Sequence, residues 1–413
     1  MSHLYYLANM RLPTEKAHGL QIVQMCEAFT QAGYQVTLVI PDRRNQPRFQ
    51  GLDPHAFYGV EPVFDIIRLW TLDLAGEGGI SRRVYRLQAA TYFLSTLAWL
   101  ARQPRDAILY SRDPFLLWLV GLVYPRRKLV YEAHTASQTR TGRAITRRAL
   151  RHAATALAVT RHLADELEQL SGRSVRVEHD GIRAERFADA PDQAEARQRL
   201  GLPADVFIAC YVGQLTTMSM DKGLGTVIEA FGRGQAQRPG WKGHFLMVGG
   251  PAEAVEALRG RWIGLGLPDE AFHAAGQVAA AAVPVYLAAS DACLMPQPWT
   301  QFFAYYTSPL KLFEYMAAGR PIIASDLPSF REVLTEGENA LFAPPSDPDA
   351  LAGALLRLSA DEELQARMGQ KNWDEVDHYT WRARARRIAS ALDGRLTRQF
   401  GADERPDKSP ASR

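Results

Sequence analysis

Ser308, Lys311 and Glu314 are spaced three residues apart in a segment whose chemistry would suit a nucleotide. The sequence predicts a short helix over residues 309–318, with Ser308 as its N-cap and Gly319 just beyond its end. Residues three apart share one face of a helix. A helix N-terminus and a lysine both attract phosphate, and a carboxylate one turn later can accept hydrogen bonds from a ribose diol. The alternative is an ordinary ion pair on a solvent-exposed helix face.

A second candidate phosphate site follows a predicted strand near the middle of the chain. Gly213 and Gln214 form the turn after this strand, and Lys222 lies just before a helix that begins near Leu224. The glycine spacing matches neither the dinucleotide-binding pattern nor the P-loop. A lysine at this position could still neutralise a diphosphate without a metal ion. It could equally be an ordinary exposed lysine in a loop.

The first half of the chain offers two further candidates, Gly19 and His134. Gly19 opens a predicted helix after the first strand, where a glycine would let a substrate approach backbone N–H groups. His134 ends the predicted strand 128–134, and Glu132 precedes it on the same face. A histidine at the carboxyl end of a parallel strand would point into a ligand-binding cleft. A lone histidine at a strand end is nevertheless more often structural.

Two other segments have structural interpretations. Residues 174–182 are predicted to form the strand that ends the first half of the chain. Ser329 and Glu332 fit a capping box at the start of a helix. Glu332 is therefore not predicted to be catalytic.

The elements that must position these residues follow one pattern, because both halves of the chain alternate short apolar strands with helical segments. This alternation predicts an α/β fold with two doubly wound parallel sheets, each covered by helices on both faces. We expect domains over 1–182 and 204–377, joined by a linker over 183–203. We also expect a closing helix over 378–399 and disorder over 400–413. Ligands of such sheets bind beyond the carboxyl ends of the strands, so the two domains should face each other across a cleft.

Composition is that of a globular protein. The chain has 413 residues, of which 47% are apolar and 23% are charged. The longest nearly uncharged apolar run, 114–125, is too short to span a bilayer, and no secretory signal pattern is present in the sequence. Cys26, Cys210 and Cys293 lie far apart and have no metal-binding or redox spacing, which suggests buried thiols in a reducing compartment. These features predict a cytoplasmic protein.

The positive charge is concentrated in the first half of the chain. Residues 1–182 contain 23 Lys and Arg against 16 Asp and Glu, an excess of 7. Arginines cluster at 82–86, 126–128 and 140–151. This excess suggests contact with an anionic surface, either lipid headgroups or a phosphorylated acceptor, and hence a peripheral position at the inner face of the cytoplasmic membrane. The alternative is a solvated arginine-rich surface, and no motif predicts binding to nucleic acid.

The sequence lacks the motifs of several common classes of enzyme and metal site. The sequence contains no zinc-ligand spacing, calcium loop, nucleophile elbow or GxGxxG after a predicted strand. It also has no acidic pair in an obvious metal-binding loop. These patterns argue against serine-type hydrolases and nicotinamide dehydrogenases, and no metal site or cofactor is predicted.

Taken together, these residues show that the chain resembles the retaining, metal-independent glycosyltransferases of the GT-B fold, family 4, also called glycosyl transferases group 1. The most specific part of the resemblance is SPLKLFEYMAAGRPIIAS followed by DLPSFREVL. It extends over roughly residues 3–395 through the supporting segments YVGQL, DKGLGTVIEAF, MVGG, VPVYLAASDACLMP, YEAH and PTEKAHGLQIVQMCEAF. The resemblance implies two Rossmann-like domains, an acceptor-side one and a donor-side one. It also implies that the C-terminal helix, with HYTWRARARRI, packs back on the first domain.

The resemblance implies roles for the candidate residues in the second half. Glu314 matches the second glutamate of the family's E-x7-E pattern, which binds the ribose diol. Lys222 matches the lysine that stabilises the leaving diphosphate. The loop implied to hold the diphosphate through backbone N–H groups corresponds to Ser308, Pro309, Leu310 and Lys311.

The remaining correspondences include two departures from the family pattern. His134 matches a histidine implied to contact the donor sugar, and Gly19 matches a glycine loop near the diphosphate. Tyr306 stands where the E-x7-E pattern begins with glutamate, and Gln214, after Gly213, stands where the family has arginine. A tyrosine carries no charge at neutral pH, and a glutamine cannot offset a diphosphate.

The activity implied is transfer of a sugar from a UDP- or GDP-type donor to an acceptor hydroxyl with retention at the anomeric carbon. The acceptor would be a glycan or a lipid-linked molecule of cell-envelope or polysaccharide synthesis. His134, Lys222 and Glu314 would be the catalytic residues. Two alternatives remain: a GT-B nucleotide-sugar epimerase, and a non-catalytic sugar-nucleotide-binding or partner subunit, which Tyr306 and Gln214 would favour.

Overall fold

A computed structural model describes residues 2–73, 82–217 and 220–398. The predicted disordered tail, 400–413, lies outside the described residues. So do the side chains of Arg82, Arg83, Arg86 and Arg127 in the predicted basic clusters. Within the described residues, no helix is both long and apolar enough to cross a bilayer.

The first domain is built on a seven-stranded parallel sheet. Its strands are β1 (His3–Leu7), β2 (Gln35–Pro41), β3 (Asp65–Leu69), β4 (Ile108–Ser111), β5 (Leu129–Ala133), β6 (Thr155–Ala158) and β7 (Arg176–Val177). They lie in the order β3-β2-β1-β4-β5-β6-β7. Every residue of β4, β5 and β6 is buried, because helices cover both faces of the sheet. The winding reverses between β1 and β4, which places a ligand-binding switch point at their carboxyl ends.

Helices form a layer on each face of this sheet. The helices are α1 (Ala17–Gln31), α2 (Pro54–Tyr58), α3 (Arg82–Leu100), α4 (Pro114–Val120), α5 (Arg140–His152) and α6 (Arg161–Ser171). Helix α1 packs on one face, and α3 to α6 pack on the other.

The second domain has a six-stranded parallel sheet. Its strands are β8 (Phe207–Val212), β11 (Gly243–Val248), β12 (Phe272–Gly276), β13 (Ala292–Met295), β14 (Ile322–Ser325) and β15 (Ala340–Ala343), and a small antiparallel pair after β8 comprises β9 (Thr216–Thr217) and β10 (Met220–Asp221). The sheet order is β12-β11-β8-β13-β14-β15, so this switch point lies between β8 and β13. The two parallel sheets confirm the predicted α/β class with two doubly wound domains.

The helices of the second domain include one from the predicted linker. They are α7 (Gln193–Leu200), α8 (Leu224–Gln237), α9 (Ala252–Gly264), α10 (Val283–Ala288), α11 (Gln301–Tyr305), α12 (Leu310–Ala317), α13 (Pro328–Arg331), α14 (Pro348–Ser359) and α15 (Glu362–Val376). Helix α7 lies within 183–203. Its Arg197 forms an ion pair of 2.7 Å with Asp291, so this part of the linker packs on the second domain.

The chain returns to the first domain in its last helix, α16 (Trp381–Arg398). Trp381 and Ile388 belong to the apolar core that also contains α1 and the first-domain strands. The side chain of Arg384 is 1% exposed within the same region. The first domain therefore contains residues from both ends of the described chain.

The predicted strand over 174–182 is wrong in length, because only Arg176–Val177 joins the sheet. The following backbone groups bond elsewhere. The N–H of Asp180 donates to Ser308 Oγ at 2.9 Å, and the N–H of Ile182 donates to the Tyr379 carbonyl at 2.9 Å. The segment thus leaves the sheet to join the two domains.

Candidate functional site

The carboxyl end of β8 carries Gly213, which lies directly against Lys311 of α12. Gly213 has φ of +136°, a backbone conformation that favours glycine. A Cβ built on Gly213 would lie 1.7 Å from Lys311 Nζ, so any side chain here would displace the ammonium group. The fold therefore places the positive charge of Lys311 at the switch point of the second sheet.

Lys222 adds a second positive charge beside Lys311. Lys222 precedes α8 and is only 9% exposed. Burial lowers the pKa of each lysine, and the charge of Lys222 lowers the pKa of Lys311 further. Lys311 is half-buried. Two neighbouring cations with little access to water repel each other, and an anion that contacts both would stabilise the charged form of each. The pair is suited to a multiply charged anion such as a diphosphate.

Glu314 lies one turn after Lys311 on α12 and is close to Arg186, a residue that the sequence did not mark as part of the site. Its Oε1 lies 3.8 Å from Nη1 of Arg186, in the connection between the domains. Burial raises the pKa of Glu314, and the positive charges of Arg186 and Lys311 oppose that rise. Sequence reasoning missed Arg186, because an arginine in a connecting segment has no spacing that marks it.

The start of α12 differs from the prediction by one residue. The helix begins at Leu310 with Pro309 as its N-cap, so the prediction that Ser308 caps it is wrong. Ser308 instead accepts the hydrogen bond from Asp180, and Leu310 packs against the core of the first domain. Gly319, with φ of +60°, follows the helix as predicted. The segment 308–310 thus lies at the junction of the two domains.

His134 follows β5 and belongs to a buried polar cluster in the first domain. Its Nε2 forms a hydrogen bond with Oε1 of Glu132, and Glu132 Oε2 lies 3.3 Å from Arg384 Nη1. Arg112 Nε lies 3.7 Å from Glu132 Oε1. Although Glu132, His134 and Asp180 bring ligand-type atoms within 4.8 Å of one another, the two arginines already neutralise Glu132. That positive charge disfavours a divalent cation at this cluster.

A cavity of about 610 Å³ opens beside this cluster at the switch point of the first sheet. His18, Arg112 and His134 line it, together with Pro114 of α4 and Thr146 of α5. Its lining also includes the carboxyl group of Asp113, whose Oδ1 accepts hydrogen bonds from the first N–H groups of α4. The cavity could therefore hold a polar or anionic ligand.

Gly19 is explained by packing. It lies in the first turn of α1, and a Cβ at this position would be 2.3 Å from Tyr58 Oη and 2.6 Å from Thr14 Cγ2. A glycine is required for α1 to approach α2 this closely, whatever ligand binds nearby.

Tyr306 and Glu332 lie in a second contact between the domains. The hydroxyl of Tyr306 donates to Glu166 Oε2 at 2.8 Å, and burial together with Glu166 raises the pKa of Tyr306 to about 12. Glu332 accepts hydrogen bonds from the N–H of Arg161 at 2.8 and 2.9 Å. The predicted capping box is therefore wrong, because Glu332 binds the start of α6 and Ser329 donates to Phe303 instead.

Gln214 is uncharged, so this position in the turn after β8 lacks the positive charge of the arginine in the family pattern. Its side chain is exposed, and its carbonyl accepts a hydrogen bond of 2.8 Å from the Tyr211 hydroxyl. The adjacent Gly213 nevertheless contacts the Lys311 ammonium group. The cation at this turn comes from α12 and not from the turn itself.

Comparison with known proteins finds a matching family model in each half of the chain. A family model described as Glycosyltransferase Family 4 matches residues 19–186, and one described as Glycosyl transferases group 1 matches residues 207–361. The chain belongs to the family 4 glycosyltransferases of GT-B fold. The family predicted from the sequence motifs is thus confirmed.

Relatives of this glycosyltransferase align with part of the chain at the sequence level. A D-inositol 3-phosphate glycosyltransferase from Streptomyces bingchenggensis is 28% identical over 237 residues, which are 54% of this chain and 49% of the relative. The chain therefore spans about half the length of this curated relative.

Solved structures match nearly the whole glycosyltransferase fold. A sucrose-phosphate synthase from Thermosynechococcus elongatus matches with a TM-score of 0.71 at 21% identity. The match covers 97% of this chain and 99% of the synthase chain. The Anabaena protein HepE in complex with UDP has a TM-score of 0.70 at 16% identity and covers 95% of this chain and 100% of its own. At these identities the likeness shows the fold alone.

We predict that the Tyr306→Phe variant of this glycosyltransferase is less stable by about 1–2 kcal/mol, because it removes a hydrogen bond to the carboxylate of Glu166. The KM for the donor should stay unchanged, since Tyr306 faces the first domain. Urea denaturation and donor kinetics test both statements. Tyr305→Phe is the matched control, because it keeps the ring that stacks on His162 at 4.1 Å. A raised donor KM with normal stability would instead place Tyr306 in the donor site.

Proposed function

We propose that this glycosyltransferase moves a sugar from a UDP- or GDP-type donor to an acceptor hydroxyl, with retention of anomeric configuration and without a metal ion. The observation that carries the proposal is the pair of neighbouring lysines at the carboxyl end of β8, the buried Lys222 and the half-buried Lys311, with Glu314 one turn along α12. A diphosphate would contact the lysines while the attached ribose reaches Glu314. The complex of the structural neighbour HepE with UDP supports a nucleotide in this fold.

The lysine pair supplies the main chemical effect in this proposal. As the bond between sugar and diphosphate breaks, negative charge develops on the leaving diphosphate. Fixed cations in a buried site stabilise that charge without reorganisation. Two ammonium groups here provide the positive charge that a divalent cation provides in metal-dependent transferases. Lys311 also replaces the charge that Gln214 lacks, which argues against a degenerate donor site.

His134 has a positioning role on the sugar side of the proposed site. Glu132 binds Nε2 of its ring and so fixes the orientation of the imidazole. Burial and the charge of Arg112 lower the pKa of His134, against the opposing effect of Glu132. We assign this ring to a hydroxyl of the donor sugar, at the rim of the first-domain cavity.

The acceptor in this proposal occupies the cavity of about 610 Å³ in the first domain. The guanidinium of Arg112 in its lining can bind an anionic group on the acceptor, and His18 offers a further hydrogen-bonding ring. A curated relative is named D-inositol 3-phosphate glycosyltransferase, and D-inositol 3-phosphate carries such an anionic group. We extend this to a phosphorylated or lipid-linked glycan of cell-envelope or polysaccharide synthesis, acted on at the cytoplasmic side of the membrane.

A change at Glu314 tests the donor assignment. The Glu314→Gln variant should bind the correct nucleoside diphosphate about ten- to a hundredfold more weakly, because hydrogen bonds to a charged group contribute about 1.5–3 kcal/mol. A 2′,3′-dideoxy analogue of the same nucleotide should bind both proteins equally, since it lacks the diol. Equal losses for both ligands would contradict a ribose contact at Glu314.

The nucleotide itself is found by a thermal-shift screen of UDP, GDP, ADP and their sugars. A ligand at about a hundred times its dissociation constant stabilises the folded state by about 2.7 kcal/mol. Turnover is then measured with a panel of phosphorylated acceptors. Binding without transfer to any acceptor would favour the sugar-nucleotide-binding subunit, and conversion of the donor alone would favour the epimerase.

A further inference from the structure

One surface of the first domain combines strong positive charge with exposed apolar side chains. We call it the α4–α5 face. It consists of Phe115, Trp118, Leu122, Val123, Arg140, Arg143, Arg147, Arg148 and Arg151. Helices α4 and α5 pack against each other, and the Nδ1 atom of His152 bonds the Gly121 carbonyl at 2.7 Å. The face is therefore one continuous surface.

The charge of this face comes from α5. All five of its arginines are exposed, and the helix itself contains no aspartate or glutamate. Arg143 forms an ion pair of 3.5 Å with Glu166 of α6, which offsets part of this charge. The opposite side of α5 is anchored in the core through Thr146, Ala149 and Leu150. The helix that carries the arginines is thus held in a fixed position on the first domain.

The apolar part of the face lies in α4 and the turn that follows it. Leu122 is 61% exposed and Val123 is 62% exposed. Trp118 is half-buried, and the guanidinium of Arg148 lies 5.3 Å from the centre of its ring. An ordinary solvated arginine surface gives no reason for exposed Leu and Val beside it, whereas the boundary between lipid headgroups and acyl chains favours both kinds of side chain.

We propose that the α4–α5 face docks on an anionic lipid bilayer, with Leu122 and Val123 entering the headgroup boundary and the arginines binding lipid phosphates. This inference goes beyond the proposed sugar transfer and does not depend on it. The arginines lie along an exposed helix and do not converge on a pocket, which favours an extended anionic surface over one phosphorylated glycan. Two copies of the same face would repel each other, which disfavours a dimer formed through it.

The docked orientation has a consequence for the acceptor, which does rest on the proposed function. Pro114 of α4 and Thr146 of α5 belong both to the helices of this face and to the lining of the first-domain cavity. An acceptor anchored in the bilayer would therefore have to reach the cavity around these two helices.

Co-sedimentation with vesicles tests the docking. The wild-type protein should bind vesicles of phosphatidylcholine mixed with phosphatidylglycerol, and raised salt should weaken that binding. The Arg140→Gln/Arg151→Gln variant should have a partition coefficient about thirtyfold lower, from about a fivefold contribution per arginine near the surface. Leu122→Ser/Val123→Ser should also lower binding, and both variants should remain folded, with far-UV circular dichroism like that of the wild type.

The matched control removes two exposed arginines from the second domain. Arg233→Gln/Arg367→Gln changes the net charge equally and should leave vesicle binding unchanged. Equal vesicle binding by the wild type and the Arg140→Gln/Arg151→Gln variant would overturn the proposal, as would salt-independent binding to phosphatidylcholine alone. A change of oligomeric state in Leu122→Ser/Val123→Ser, without a change in vesicle binding, would show instead that the face joins two copies of the chain.

Discussion

Replacing Lys222 with alanine is expected to lower kcat/KM for sugar transfer by about 10²–10³-fold, the usual effect of removing one preorganised group that stabilises developing charge. Lys222 is 9% exposed and lies beside Lys311, so water cannot readily replace its charge. The loss should appear mainly in kcat, because the leaving diphosphate gains charge in the transition state. Steady-state kinetics with the donor identified by the thermal-shift screen measure this effect.

Two controls make the Lys222 result specific. Lys242→Ala removes a lysine at the opposite, amino-terminal end of the second sheet and should leave kcat/KM unchanged. The Lys222→Ala/Lys311→Ala variant should lose less than the product of the two single losses, because both lysines act on one diphosphate. Full transfer activity in Lys222→Ala would reject the assignment of the diphosphate to this pair.

The second large effect concerns stability. Arg384→Met is expected to lower the free energy of unfolding by about 3–5 kcal/mol, because it leaves a buried carboxylate without its main partner. Glu132 is 2% exposed and lies 3.3 Å from Arg384. Burial alone would raise the pKa of Glu132, but Arg384 and His134 hold it well below its usual value. The glutamate is thus charged in the native protein because of its partners.

The Arg384 prediction has a matched control and a pH dependence. Arg386→Met changes an exposed arginine two residues away on α16 and should have little effect. The Glu132→Gln/Arg384→Met variant should recover part of the loss, since the buried carboxylate that lost its main partner is removed as well. The deficit of Arg384→Met should shrink as the pH falls towards the ordinary carboxyl range, where the unpaired Glu132 binds a proton. Urea denaturation at several pH values tests this, and equal effects of the Arg384 and Arg386 changes would contradict it.

The sequence was sufficient for the fold because burial dictates the pattern of the strands. Strands such as β8 and β13 are apolar throughout, as parallel strands covered on both faces must be. The predicted strand over 174–182 failed because its backbone bonds to Ser308 and to Tyr379, which are far away in sequence. Local propensity cannot reveal such partners.

The same limit separates the parts of the site that were predicted from those that were not. Lys311 and Glu314 lie on one short helix, so their spacing was enough to suggest a phosphate and a diol. Arg186 and the contact between Gly213 and Lys311 depend on how distant segments meet. Tyr306 looked like a weakened donor residue by its position alone, whereas its hydroxyl binds Glu166 in the other domain.

Helix α16 also constrains how the protein is made. Trp381 and Ile388 fill the core around α1, although α1 is synthesised some 350 residues earlier. The N-terminus of a nascent chain leaves the ribosome first, and N-terminal domains therefore usually fold before C-terminal ones. In this protein the apolar surface of the first domain that α16 covers stays exposed until nearly all of the described chain has emerged. The second domain is synthesised in that interval. Nascent chains of this protein therefore need protection from aggregation until α16 has been synthesised.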